Sequence, residues 1–360
     1  MGKVYNIVIT GGPCAGKTSA MARIQEELVQ KGYKVIVVEE EATLAINRGI
    51  VPWEIDGVDF QEGILKLQIN KENVVNELAK KYDKDVVIVM DRGALDSKAY
   101  VSRERFKEVL SKVGETENSL MERYGAVIHL VTAAKGAEEF YTLSNNSART
   151  EGVEVARQRD EECLGAWVGH EHLRVVGNET NFEGKLDRLM GHIYSYLGIP
   201  VPVEIERKYL IKLDNLDDII KRYDAREISI MQTYISCEEN EEERVRQRGV
   251  DGDYAYIWTK KTKISELERI EIQRRISKEE YLEKLMSADL DRKTIIKSRY
   301  CFVYKNQYFE LDVYKGLENG ILEIELTDKQ DSVELPPEIE LIKEVTGDMT
   351  YKNAEIAKIN

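Results

Sequence analysis

Gly11-Gly12-Pro13-Cys14-Ala15-Gly16-Lys17-Thr18 fits the spacing G-x-x-x-x-G-K-[ST], the signature of a phosphate-binding loop. Its flanks supply the context that the motif needs. Val4–Thr10 is an apolar run of strand length, and Ala20, Ile24, Leu28 and Val29 recur afterwards at helical spacing. Strand, glycine loop and helix in that order let backbone N–H groups turn inward around phosphate oxygens, while the helix N-terminus adds partial positive charge. The spacing predicts that Lys17 reaches the β- and γ-phosphates of a bound ATP or GTP and that Thr18 holds Mg²⁺. Gly11, Gly12, Pro13, Cys14, Ala15, Gly16 and Ser19 complete the expected cradle.

Outward from the loop, strand-length apolar runs alternate with amphipathic stretches. Lys34–Glu40, Asp85–Asp91, Ala126–Ala133 and His172–Asn178 are Val/Ile-rich and continuous rather than alternating, as strands buried on both faces of a parallel sheet require. A last helix is expected from Phe182 to about Leu197. The plan is a doubly wound α/β fold, whose ligands lie at the carboxyl ends of its strands. Two strand ends deliver acids there: Glu39-Glu40-Glu41, and Asp91 followed by Arg92-Gly93. An Asp ending an apolar strand beside a phosphate loop is the arrangement in which a carboxylate holds Mg²⁺, and Arg92 is placed to meet a phosphate. Glu40 alone reads equally well as a solvated strand end. Asn145–Glu151, with Arg149, precedes a helix carrying Arg157 and Arg159. Arginines there read either as a lid over the phosphates or as an exposed, charge-laced helix.

A chain of 360 residues holds two domains or one large one. The formal charge of −14 argues against non-specific binding to nucleic acid or to a membrane surface. Cys14, Cys163, Cys237 and Cys301 lie far apart with no C-x-x-C pair, and His occurs only 4 times. Those counts disfavour a zinc site or a disulfide framework. Neither a signal peptide nor a long apolar span is read, so no integral membrane segment and a cytoplasmic location are expected.

Gly198-Ile-Pro200-Val-Pro202 ends the first domain, expected to span 1–199, because neither proline can continue a helix. From 202 to 360 the style changes to strands that alternate charged and apolar residues. Glu204, Glu206 and Lys208 share one strand face. Arg244 with Arg246 and Arg248, Lys297 with Arg299, Glu310 with Asp312, and Glu323 with Glu325 repeat the pattern. Arg269, Glu271 and Gln273 share another face, whereas Lys260 and Lys261 lie in a run too mixed to assign. Ser277-Lys-Glu-Glu280 opens a helix within the series. Sequential alternating strands predict an antiparallel sheet that closes into a barrel with flanking helices. Basic forks suit a triphosphate and carboxylates suit the hard cations, Mg²⁺ or Mn²⁺, that hydrolysis needs. So many inward charges imply a wet tunnel.

Two resemblances sharpen this. Residues 1–199 resemble P-loop ATPases of the nicotinamide-riboside-kinase-like group. The residues that carry the likeness are the Gly11–Thr18 loop, Glu40-Glu41-Ala42-Thr43, Asp91-Arg92-Gly93 with Asp96, Asn146–Glu151, and Trp167 with Gly169-His170. In such kinases a carboxylate after the second strand is the base, a place that Glu40 matches, with Asp91 as rival. Residues 202–360 resemble the CYTH superfamily of triphosphate tunnel enzymes, through Glu204-Ile-Glu206-Arg-Lys208, Glu323-Ile-Glu325 and Val345-Thr-Gly347-Asp348. That resemblance implies metal-binding acids at Glu204, Glu206, Glu323 and Glu325, to which Glu271 and Asp312 are added. It also implies phosphate-binding Lys208, Arg244, Arg246, Lys297 and Arg299, with Lys261 preferred over Lys260. Gln273 stands where the family's usual R-x-E-x-E strand carries its second acid. The pairing is similar to translocation-defect-type proteins, which implies nucleotide binding and, in eukaryotic members, phosphoinositide binding. A triphosphate hydrolase in the tunnel is the first expectation. A nucleotide-gated module that only captures a phosphorylated ligand, and a small-molecule kinase with the second domain as sensor, stay open.

Overall fold

In the computed structural model the described residues are 2–141, 152–199, 205–237, 241–263, 269–326 and 332–359. The chain divides into two compact units, Met1–Glu204 and Ile205–Asn360.

The first unit runs β1 (Val4–Thr10), α1 (Lys17–Gln30), β2 (Lys34–Val38), α2 (Glu41–Asn47), α3 (Gly57–Ala79), β3 (Val86–Asp91), α4 (Arg103–Val113), α5 (Glu117–Met121), β4 (Ala126–Leu130), α6 (Val153–Trp167), β5 (Leu173–Val176) and α7 (Phe182–Leu197). Its five strands lie in the order β2-β3-β1-β4-β5 and all their pairings are parallel. β1 therefore sits at the centre, and the loop that follows it emerges between neighbours reached by opposite crossovers, where open α/β sheets form their ligand crevice. Ile7, Ile9, Val87, Val89 and Ile128 of the sheet pack against Ala20, Ile24 and Leu28 of α1 and Leu186, Leu189 and Ile193 of α7 in one core. Val29, expected on the buried stripe of α1, is instead exposed. β2 stops at Val38 because Glu40 turns to become the N-cap of α2.

The second unit runs β6 (Ile205–Ile211), α8 (Leu216–Arg222), β7 (Arg226–Ile235), β8 (Glu241–Val250), β9 (Asp253–Lys263), β10 (Arg269–Ile276), α9 (Lys278–Leu285), β11 (Ile295–Tyr304), β12 (Gln307–Tyr314), β13 (Gly320–Leu326), β14 (Leu341–Glu344) and α10 (Asn353–Ile356). The nine strands form one antiparallel sheet ordered β10-β9-β8-β7-β11-β12-β13-β6-β14. No ladder joins β10 to β14 among the described residues, so the hydrogen bonding stays open where a closed barrel was expected. One face is apolar: Tyr209, Ile211, Phe302, Phe309, Leu311, Leu322 and Ile324 pack around Ile219 of α8. Period two then commits their neighbours in sequence to the other face.

Candidate functional sites

In the first unit the loop leaves β1 at Thr10 and enters α1 at Lys17. Gly16 occupies the left-handed region at φ 90° as the N-cap of α1. A Cβ there would also stand 2.6 Å from the Phe182 ring, so both conformation and space require glycine. Lys17 is half-buried beside Arg92; desolvation and that like charge lower its pKa, against the pull of Asp91 and Glu40. Asp91 ends β3, and its Oδ1 is buried without a hydrogen-bond partner. Burial raises its pKa, opposed by Lys17. Thr18 and Ser19 face solvent.

Arg92 takes φ 70° and turns its guanidinium toward Glu40, with Nε 2.7 Å from Oε1 and Nη1 3.5 Å from Asp96 Oδ1. Thr43 Oγ1 donates to the other Glu40 oxygen at 2.8 Å. Burial would raise the pKa of Glu40, but Arg92, Lys17 and Thr43 outweigh it and the net shift is downward. Asp96 takes the Gly93 N–H at 2.8 Å and the Thr10 hydroxyl. The Cys163 Sγ accepts from Arg92 at 3.5 Å, and burial pushes its thiol up to about 11.

The arginines of α6 point elsewhere. Arg157 donates to Ala134 O and Glu154 at 2.6 Å and pairs with Glu138 at 2.9 Å. Arg159 bonds Ala99 O, pairs with Glu162 at 2.7 Å and lies 4.6 Å from the Tyr100 ring. Those contacts commit both to packing between α6 and its neighbours, rather than to the phosphate loop. The expected lid segment 145–151, Arg149 included, lies outside the described residues. Trp167 is core, packed edge-on to Tyr124 at 5.4 Å.

One residue of this region has no motif behind it. Asp160, buried on α6, accepts the Gly12 N–H at 2.9 Å and the Thr132 N–H at 3.0 Å and stands 3.2 Å from His129 Nε2 and from Lys135 Nζ. Burial would raise its pKa, but the His129 bond and charge, the Gly12 N–H and Lys135 pull it down to about 2.

In the second unit the ladders put the charged residues on one face. Glu206 pairs with Glu325 and Lys208 with Glu323. Glu323 then pairs with Glu310, Asp312 with Arg299, and Tyr314 with Lys297. Continuing, Lys297 pairs with Ile230, Ile230 with Arg248, Gln232 with Arg246 and Tyr234 with Arg244. Arg244 pairs with Thr259, Thr259 with Gln273, and Lys261 with Glu271. Acids thus concentrate on β6, β13 and β12, and bases on β11, β8 and β9. Lys261 has the parity of this face, whereas Lys260 lies on the opposite one and pairs with Glu241 at 2.7 Å. Glu204 lies outside the described residues, and Glu271 is placed only by its register.

Much of the acid is already matched. Asp312 receives Arg299 Nε and Nη2 at 2.7 Å and Lys297 Nζ at 2.5 Å. These two cations hold its carboxyl well below the usual range despite burial. Arg299 also reaches Glu323 at 3.1 Å and pairs with Glu310, and Lys208 reaches Glu323 at 2.7 Å and Glu206 at 3.2 Å. The network is self-neutralising where a wet, ligand-compensated tunnel was expected. Asp312, expected among the metal ligands, has both oxygens occupied and serves instead as the anchor for Lys297 and Arg299. On β8, Arg244 Nε is buried with no hydrogen-bond partner. One end of the face is covered by the C-terminal segment: Tyr314 OH donates to Asn353 at 2.8 Å, and Ala357 packs against Tyr234, Ile295 and Ile321.

A phosphate loop on a central parallel strand, with an orphaned strand-end carboxylate beside its lysine, defines a P-loop nucleotide-binding domain. Residues 6–185, half of the chain, match the AAA domain family, and residues 203–355 match the CYTH domain; the chain belongs to the AAA domain family and carries a CYTH domain after it. It is similar to an inorganic triphosphatase from Acetivibrio thermocellus, 29% identical over 157 residues, which make up 43% of this chain and 93% of that protein. Among solved structures it is similar to an inorganic triphosphatase, at 25% identity and TM-score 0.33, over 43% of this chain and 94% of the other. A deoxyadenosine kinase from M. mycoides with bound dATP aligns at 18% identity and TM-score 0.39, over 53% of this chain and 100% of the kinase. Among the described residues no helix is long and apolar enough to cross a membrane.

Proposed function

We propose that the CYTH domain is a metal-dependent triphosphate hydrolase and that the P-loop domain binds ATP or GTP. The observation that carries the reading is the register, which gathers Glu206, Glu323, Glu325, Lys208, Arg244, Arg246, Arg299 and Lys261 on one face. The similarity to an inorganic triphosphatase supports a triphosphate as the substrate class of that face.

Arg244, Arg246 and Lys261 are the basic groups of the far half and would take phosphate oxygens; the orphaned Arg244 Nε is a donor awaiting such an acceptor. Lys208 and Arg299 sit at the boundary with the acids and would orient the same chain of phosphates. The donor set fits a hard cation at Glu206 and Glu325, which face each other across the β6–β13 ladder, with Glu204 as the expected third acid. Among the described residues no three His, Cys, Asp or Glu side chains come together as a metal cluster, so substrate oxygens and Glu204 would complete the shell. Mg²⁺ or Mn²⁺ bound there supplies charge neutralisation and activated water. Glu271 would lie at the basic edge opposite Lys261, and Gln273 beside it cannot add charge. In the P-loop domain Asp91 and Thr18 would hold Mg²⁺, and Lys17 and Arg92 would meet the phosphates.

A second reading, capture of a phosphorylated ligand without turnover, draws on the extent to which Asp312, Glu310 and Glu323 are already paired. Phosphate release from inorganic tripolyphosphate with Mg²⁺ or Mn²⁺ separates the two. The hydrolase reading expects release by the native chain and its loss in Glu206→Gln/Glu325→Gln. Tight tripolyphosphate binding with no release from the native chain would establish capture instead.

A further inference from the structure

The second position of the phosphate-loop pattern is free to vary, yet Gly12 here is dictated by a contact. Its φ lies outside the left-handed region, so the backbone does not demand glycine. A Cβ at Gly12, however, would meet Asp160 Cβ at 2.7 Å and Oδ1 at 2.9 Å. Asp160 comes from α6, 148 residues further along the chain, and is 1% exposed. Its Oδ1 gathers the Gly12 and Thr132 N–H groups together. The same seam is closed on either side, because the Thr132 hydroxyl donates to Pro13 O and the Ala133 N–H to Cys14 O at 3.2 Å.

An acid so close to a polyphosphate site would repel its ligand unless it were matched. Here His129 and Lys135 flank it at 3.2 Å each, and Lys185, buried on α7, feels its charge. Oδ1 is thus taken up by the Gly12 and Thr132 amides, while Oδ2 is buried without a hydrogen bond and has the Lys135 ammonium beside it at 3.2 Å.

We propose that Asp160 is a positioning residue for the phosphate loop, fixing Gly12 against the end of β4 so that the remaining loop amides are preorganised for nucleotide phosphates. The inference rests on the nucleotide-binding reading of this domain and assigns it a part that the motif does not contain. A bond to an ionised acceptor that orders a binding loop is worth roughly a ten- to hundredfold change in affinity. The acceptor, more than the charge, is what the loop needs, so an isosteric amide should serve.

The test is titration of Mg·ATP and Mg·GTP into the native chain, Asp160→Ala and Asp160→Asn, with amide hydrogen exchange over residues 10–18 and thermal melting on each. Asp160→Ala is expected to weaken the nucleotide that the native chain binds by about ten- to hundredfold and to speed exchange at Gly12, while Asp160→Asn stays within about threefold and keeps the protection. Native affinity in Asp160→Ala, or equal weakening in both variants, would overturn the positioning role; the second result would make the effect one of charge. If the native chain binds neither nucleotide, the nucleotide-binding reading falls. Gly12 exchange in Asp160→Ala then still decides whether the carboxylate holds the loop.

Discussion

Replacing Asp312 by alanine tests the energetics of the charged face most severely. The side chain is fully buried and receives three charge-assisted bonds, two from Arg299 at 2.7 Å and one from Lys297 at 2.5 Å. Removing it leaves Lys297, itself 5% exposed, with a buried ammonium and no carboxylate. Arg299 is affected less, because Glu310 and Glu323 still pair with it. Breaking a buried pair from one side costs about 3–5 kcal/mol, a large share of the ~5–15 kcal/mol that stabilises a whole domain. In urea, with a slope of about 2 kcal/mol/M, the midpoint of the CYTH-domain transition should fall by about 1.5–2.5 M. Adding Lys297→Met to Asp312→Ala should recover part of that loss, since it removes the stranded charge. A fall below about 0.5 M, or no recovery in the double variant, would show that the cations are solvated and that the network has been misjudged.

Other outcomes follow from the same geometry. The Asp160 carboxyl sits at about 2 when folded against an ordinary 3.8, so its contribution, about 2–3 kcal/mol, is complete above pH ~4 and is lost as pH falls through 2. Acid titration of the native chain against Asp160→Asn should show that difference vanishing toward pH 2. Lys17→Ala should abolish nucleotide binding in the P-loop domain and leave triphosphate hydrolysis largely intact, measured by calorimetric titration and phosphate release on one preparation. Arg244→Ala should raise the KM for tripolyphosphate by about ten- to hundredfold, the worth of a charged hydrogen bond, with a smaller change in kcat.

What the sequence made legible was local. β1 and α7 fall on the spans that their apolar patterns predict, because continuous Val/Ile runs and a terminal glycine act within a few residues. β2 ends two residues early, since Glu40 serves as a helix cap and the run of three glutamates does not mark where the strand stops. Alternation placed Glu310, Asp312, Lys297 and Arg299 on strand faces, but only the ladder sets Asp312 opposite Arg299 and so makes it an anchor. Alternation alone did not separate Lys260 from Lys261, which only the resemblance favoured; their parity follows once Thr259 is seen opposite Arg244. Barrel closure depends on how far edge strands travel to meet, which alternation does not encode. Asp160 gave no signal at all. It lies in the charged run Arg157-Gln-Arg-Asp-Glu-Glu162, which reads as a solvated helix, and its task exists only because α6 returns to the end of β1.

One face of the CYTH sheet is proposed as a working triphosphate site, and adjacent lysines test it directly. Phosphate release from inorganic tripolyphosphate should be compared between the native chain, Lys261→Ala and Lys260→Ala with Mg²⁺ or Mn²⁺. Lys261 has the parity of Arg244 and faces Glu271 in the ladder, whereas Lys260 pairs with Glu241 on the reverse. The expected result is hydrolysis by the native chain, retained in Lys260→Ala and reduced about tenfold or more in Lys261→Ala. Equal activity in both variants, or loss only in Lys260→Ala, would contradict the assignment of the site to this face.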